Sequence, residues 1–183
     1  MSRSYLIKFA LAGLMVAAAG GACLAQNNKD QLTGLKLSND QPIQIESDRL
    51  DVREADSVAE FTGNVKVVQG PTLLKAGKMV VYYVKGDGGS AATGSAAIDH
   101  LVVSGKVYVQ SDTQVATGDD ATFDMKSQVL VLSGSKVVLS EGENIAVGCK
   151  LTVQMANGQA HLESCKNGGR VSIVIDSKSA KKK

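Results

Sequence analysis

Three cysteines, two histidines and one adjacent acidic pair are the residues of this 183-residue chain whose types could do chemistry. Cys149 and Cys165 stand close in sequence, with 15 residues between them. His100 and His161 show no ligand spacing with them, so a metal site is not expected. A hydrolytic triad needs a nucleophile, a base and an orienting acid brought together. Here His100 follows Asp99 and His161 precedes Leu162, both in polar turn or strand-end contexts. Asp119-Asp120 reads as a turn-former rather than a paired-carboxylate site. No GxxxxGK[ST] or GxGxxG motif opens a helix. Seven aromatics, three Phe and four Tyr, are spread along the chain and form no stacking platform for sugars or single-stranded nucleic acid. No catalytic residue, metal ligand or cofactor site is therefore assigned.

The elements around these residues begin with a targeting segment. Arg3 and Lys8 form a basic n-region, and Phe9 to Ala19 is an apolar run of signal-peptide length. Ala22-Cys23-Leu24-Ala25 offers a small-residue cleavage site, so residues 1–25 read as a cleaved signal peptide. A membrane anchor is the rival, although the run is short for a span of ~20 residues. Lipoprotein processing at Cys23 is a further alternative, with Gly20 where a lipobox normally has Leu. Residues 26–40 are polar and read as a flexible segment.

Export decides how charge and cysteines are read. Without Arg3 and Lys8 the 20 bases become 18, against 18 acids. Four of those bases are Lys178, Lys181, Lys182 and Lys183, so 177–183 reads as a Lys-rich solvated tail and the body is mildly acidic. That balance excludes a typical nucleic-acid binder, which gains affinity by neutralising phosphates. In an oxidising compartment Cys149 and Cys165 could form a disulfide worth ~2–4 kcal/mol. Two buried thiols on adjacent strands would fit the same sequence.

With 19 Gly against 2 Pro, no Trp and 4% aromatics, Val and small residues dominate the apolar content, which favours an all-β fold. Ile43-Gln44-Ile45-Glu46 and Phe61-Thr62-Gly63-Asn64-Val65-Lys66-Val67 alternate apolar and polar residues, the mark of half-buried strands. The pattern repeats. Ser47, Gly77, Gly118 and Gly148 are each followed three and five residues later by apolar residues: Leu50/Val52, Val80/Tyr82, Ala121/Phe123 and Leu151/Val153. The spacings are 30, 41 and 30 residues, and the excess falls in a Gly/Ala/Ser-rich insertion at 85–95, read as flexible. Gly63, Gly105 and Gly134 form a second set, followed by Val65/Val67, Val107/Val109 and Val137/Leu139. In the last of these the phase slips at Ser135-Lys136, as at a bulge. Each unit of ~30 residues is thus two short strands and two turns, which cannot bury an apolar face without its neighbours. Stacked and folded over, such units enclose an aliphatic interior. It is either a packed core or a groove for alkyl chains, whose burial is worth ~0.8 kcal/mol per methylene. The stack would end in open edges near Gln41–Glu46 and Arg170–Ile175.

Gln41-Pro42-Ile43-Gln44-Ile45-Glu46-Ser47-Asp48 and Phe61-Thr62-Gly63-Asn64-Val65 resemble the opening of the OstA-like periplasmic bridge proteins of lipopolysaccharide transport, the LptA family. Leu132-Ser133-Gly134 with Ile145-Ala146-Val147-Gly148 resembles that family's later repeat. The resemblance covers 41–176 and implies an open twisted β-jelly-roll built from antiparallel strand-pair repeats. It also implies a head-to-tail homo-oligomer carrying lipopolysaccharide. An inner-membrane transport component would meet its N-terminal edge and an outer-membrane translocon its C-terminal edge. Ile43 and Ile45 fall on family positions that face the lipid. Alternation alone adds Val65, Val67, Val80, Tyr82, Val107, Val109, Phe123, Val137, Leu139, Leu151 and Val153. Two other readings remain at this point: an inner-membrane-anchored component of the same pathway, and a self-assembling β-solenoid of structural or adhesive role.

Overall fold

The computed structural model describes residues 42–86, 89–166 and 168–176. The expected signal peptide, the segment 26–40 and the tail 177–183 lie outside the described residues. Ten strands form one antiparallel sheet: β1 (Gln44–Glu46), β2 (Arg49–Arg53), β3 (Val58–Gln69), β4 (Thr72–Tyr83), β5 (Ile98–Ser111), β6 (Gln114–Asp124), β7 (Val129–Glu141), β8 (Asn144–Gln154), β9 (Gln159–Glu163) and β10 (Ser172–Val174). From β3 to β8, neighbours in sequence are neighbours in the sheet. The two ends mirror each other. β1 and β2 both pair with β3, on either side of its midpoint, and β9 and β10 share β8 in the same way.

The short strands expected on each side of the glycines are halves of long ones. β3 to β8 run 11 to 14 residues each, and the pairing register shifts in mid-strand, between Thr62 and Val65, Lys75 and Lys78, Ser104 and Val107, and Thr117 and Asp120. In the sequence, a phase shift inside a strand looks the same as a turn between two strands. The true reversals are the tight hairpins at Gly70-Pro71, Asp112-Thr113 and Gly142-Glu143, and longer connections elsewhere. The irregularity expected at Ser135-Lys136 falls between Ser133 and Val137.

At the bends of β3 and β5 the backbone turns left-handed, at Gly63-Asn64 and Gly105-Lys106. Gly105 has φ +85° and a Cβ there would lie 3.2 Å from the Gly77 Cα, so the bends of neighbouring strands pack backbone to backbone. Each long strand thereby passes from one layer to another. The first layer holds β2, the halves of β3, β5 and β7 before their bends, the halves of β4, β6 and β8 after theirs, and β9. The second holds β1, the remaining halves and β10. Along the line of bends the layers close on each other: Leu132 and Val137 are fully buried, and Val65, Val107 and Leu151 are nearly so. Burying such a side chain contributes about 1.5–3 kcal/mol.

Two features fasten the periphery. Cys149, in the bend of β8 between Gly148 and Lys150, and Cys165, after β9, are joined by a disulfide with Cα atoms 5.0 Å apart. The insertion is not a free tether in its described part. Its Ser90 hydroxyl donates to Glu54 Oε1 at 2.7 Å and the Ala92 N–H at 2.9 Å, while the Ala91 N–H reaches Oε2 at 3.3 Å. These donors, the Ser90 hydroxyl first, hold the Glu54 carboxyl below its ordinary pKa. A composition rich in Gly, Ala and Ser hides the loop's anchor, because the anchor lies on another segment.

Candidate functional site

Away from the bends the layers part around a cavity of about 240 Å³. The second layer contributes Ile43, Ile45, Val67, Leu74 and Val109. The first layer contributes Met79, Val81, Leu101 and Val103, with Ala121, Thr122, Phe123 and Leu130 beyond them. Strand pairing sets this wall: Met79, Val103 and Ala121 are consecutive cross-strand partners, as are Val81, Leu101 and Phe123. The lips differ. On the first layer the lip is Tyr83, Ile98, Met125 and Met155; on the second it is Gln69 and Thr72. Burial, together with Glu54, raises the Tyr83 phenol above its ordinary pKa, so it stays a neutral hydroxyl. The volume lies just under the ~300–1,000 Å³ of common small-molecule pockets. It suits an alkyl segment better than a large polar ligand.

Five residues named from the sequence line the cavity: Ile43, Ile45, Val67, Val109 and Phe123. Val65, Val107 and Val137 belong instead to the closed core at the bends, Leu151 and Val153 to the core on β8, beyond the strands that border the cavity, and Leu139 packs against that core. Alternation reports which face of a strand a residue is on, but neither how far it stands from a bend nor which strands border the cavity: Leu139 shares a cross-strand row with Val67 and Val109, and Val153 with Phe123 and Leu130. Val80 and Tyr82 are out of phase and lie on the outer face, where Tyr82 stacks on His100 with ring centroids 4.2 Å apart. The reason is one residue of register. Gly118 and Gly148 are opposite the core residues Val107 and Val137, but in β4 the residue opposite Val65 is Ala76 rather than Gly77. Counted from Ala76, the inward residues are Met79 and Val81.

Leu101 and Val103 escape the repeat pattern because that pattern runs only forward from its glycines, and because Leu101-Val102-Val103 is an unbroken apolar run that does not show which residues face inward. Gln69 and Thr72 are polar and give no hydrophobic signal. The histidines remain apart: His100 Nδ1 lies 2.7 Å from Asp99 Oδ2 on the outer face, and His161 is on β9. Asp119 serves a bend, its Oδ2 accepting the Ser135 N–H at 2.7 Å. Among the described residues no group of three or more His, Cys, Asp or Glu side chains could hold a metal ion.

Comparison with known proteins agrees with this architecture. Residues 44–159 match the family model described as LptA/(LptD N-terminal domain) LPS transport protein. An uncharacterized protein of Rhizobium meliloti (strain 1021) is 52% identical over 172 residues, which cover 94% of this chain and 91% of that protein. The lipopolysaccharide export system protein LptA of Escherichia coli (strain K12) is 32% identical over 116 residues, 49% of this chain and 63% of that one. The crystal structure of LptH, the LptA homologous periplasmic component of the lipopolysaccharide transport device of Pseudomonas aeruginosa, superposes with a TM-score of 0.61. It does so at 17% identity over 74% of this chain and 96% of LptH, a likeness of fold. With the family model matched across β1 to β8, this chain belongs to the LptA/LptD N-terminal domain family of lipopolysaccharide transport proteins.

Proposed function

We propose that the protein is a periplasmic carrier of lipopolysaccharide that shelters lipid A acyl chains between its two layers. Copies would assemble head to tail as a bridge between inner- and outer-membrane complexes, in a transport rather than a catalytic role. The observation that carries this reading is the cavity itself. It is walled by aliphatic, Met and aromatic side chains and includes Ile45 on β1, the outermost strand of the sheet, and Ile43 just before it. An acyl chain there is withdrawn from water at ~0.8 kcal/mol per methylene. A cavity that reaches an edge can continue into a second molecule docked on that edge. The edges favour such docking. β1 and β10 terminate the sheet, and on the β10 side Ile173 is 62% and Ile175 72% exposed. An exposed apolar edge strand is a template for adding another strand, and a first edge meeting a last edge is a heterologous contact that propagates.

Photocrosslinking in cells from a reactive residue at Ile43 or Ile45 tests the carrier. A lipopolysaccharide adduct is expected. A folded, exported protein that gives no adduct from either position, while its first edge still crosslinks to a neighbouring molecule, would refute lipid carriage and leave a structural assembly role.

A further inference from the structure

We infer that the second-layer lip recognises the neutral hydroxyl- and amide-bearing junction where acyl chains join a sugar, and leaves phosphate outside. This rests on the proposed lipid carriage and adds an orientation and a specificity to it. The strand register builds the lip. Gln69, Thr72, Ser111, Gln114, Glu141 and Asn144 are consecutive cross-strand partners and form one polar row across the second layer. Two residues further in, the same strands place Val67, Leu74, Val109, Ala116, Leu139 and Ala146 in a wholly apolar row. The change from greasy to polar is therefore completed within ~7 Å, two residues of strand rise. That matches the length over which an acylated sugar changes character.

Gln69 and Thr72 are the members of the polar row that line the cavity, and both are more than nine-tenths buried. The Thr72 hydroxyl donates to Ser111 Oγ at 3.2 Å, and Gln114 Nε2 donates to Glu141 Oε2 at 3.4 Å, so two neighbouring pairs of the row are bonded across strands. A carboxamide has two donors and a two-lone-pair acceptor, so Gln69 can serve a ligand beside the protein partners it already has. This lip offers no base to a phosphate; the bases nearest in sequence to the mouth, Lys85 and Lys126, flank the opposite lip. The hairpin tips along this lip are Gly70-Pro71, Asp112-Thr113 and Gly142-Glu143, with Glu141 in the row, and none offers a base. Phosphate recognition uses Arg or Lys, and like charges disfavour it. The opposite lip, with Met125 and Met155, has adaptable thioether side chains that suit chains of varied length.

Competition binding to the purified chain at ~150 mM salt, where long-range charge effects are screened, tests this with three probes. They are a phosphorylated N-(3-hydroxyacyl) glucosamine disaccharide, the same molecule without phosphate, and a chain-matched fatty methyl ester. The two disaccharides should bind within about twofold of each other. The ester should bind about tenfold more weakly, the loss of about one ligand hydrogen bond to the lip. The paired variant Gln69→Leu with Thr72→Val should bring all three to the level of the ester. Gln69→Glu, nearly the same size, should weaken the phosphorylated probe about tenfold relative to the unphosphorylated one. A wild-type protein that loses tenfold on dephosphorylation of the probe, or variants that keep the wild-type ranking, would overturn the inference while leaving carriage intact. Failure of all three probes to bind wild-type protein would remove carriage and this inference together.

Discussion

The bend side and the open side of the trough are built from the same six long strands, yet they are different materials. At the bends the layers meet through Val65, Ala76, Val107 and Val137, with Leu132 against Gly118, and leave no room. A few residues along the same strands, Val67, Val109, Leu130 and Leu101 stand apart around a cavity. The difference is one of geometry rather than of hydrophobicity, since both ends are Val and Leu. A sheet bent at a line of bulges is a wedge: near the crease side chains fill the gap, and farther out they cannot. The crease supplies stability and the mouth supplies capacity.

Mutations should separate the two. The largest effect is expected at the crease. Leu132→Ala should destabilise by about 2–5 kcal/mol, read by denaturant unfolding, and the fraction still folded should bind lipid normally. Replacing Cys149 and Cys165 together by Ser should cost ~2–4 kcal/mol. Hydrogen exchange should show the loss first in β9 and β10, the strands on either side of the crosslinked segment. At the mouth the balance reverses. Ile45→Asp should change stability by about 1 kcal/mol or less on a short edge strand, yet reduce lipid crosslinking about tenfold or more.

A pH effect should be local to the insertion. The Glu54 carboxyl is held below its ordinary pKa by Ser90, Ala92 and Ala91, so its contribution is complete above the ordinary carboxylate range. It is lost as pH falls through the lowered folded value. Exchange of the Ala92 amide measured against pH should show protection at neutral pH that disappears in acid, and Glu54→Gln should remove the dependence. The smallest effect is expected on the outer face. Val80→Thr should stay within about 0.5 kcal/mol of wild type and leave lipid capture unchanged.

How much of this is legible in the sequence depends on which physical signal each feature leaves. Period-two alternation is strong, so the all-β repeat and both edges can be read from the residues alone. The crease cannot be read as a crease, because a bulge and a turn both appear as a phase shift next to glycine. That ambiguity makes long strands look short, and one residue of error at Gly77 turns Val80 and Tyr82 to the wrong face. Depth within the wedge leaves no trace in alternation, so Val137 and Val109 look equivalent although only Val109 borders the cavity. Gln69 and Thr72 are silent because burial of a polar residue is decided by its partners, and those come from elsewhere in the chain. The disulfide stays open in the sequence because it depends on the distance between β8 and the segment after β9.

Leu73 and Leu74 offer the most direct test of the account. They are adjacent on β4 and chemically identical, and pleating turns them to opposite faces. Leu74 borders the cavity, next to Val67 and Val109 in the sheet. Leu73 is paired with Val68 and Gln110 on the outer side. A photoreactive residue placed at each in turn, in cells making lipopolysaccharide, should give a lipid adduct from position 74 and none from 73. Equal adducts from both, or an adduct from 73 alone, would contradict a lipid path between the layers.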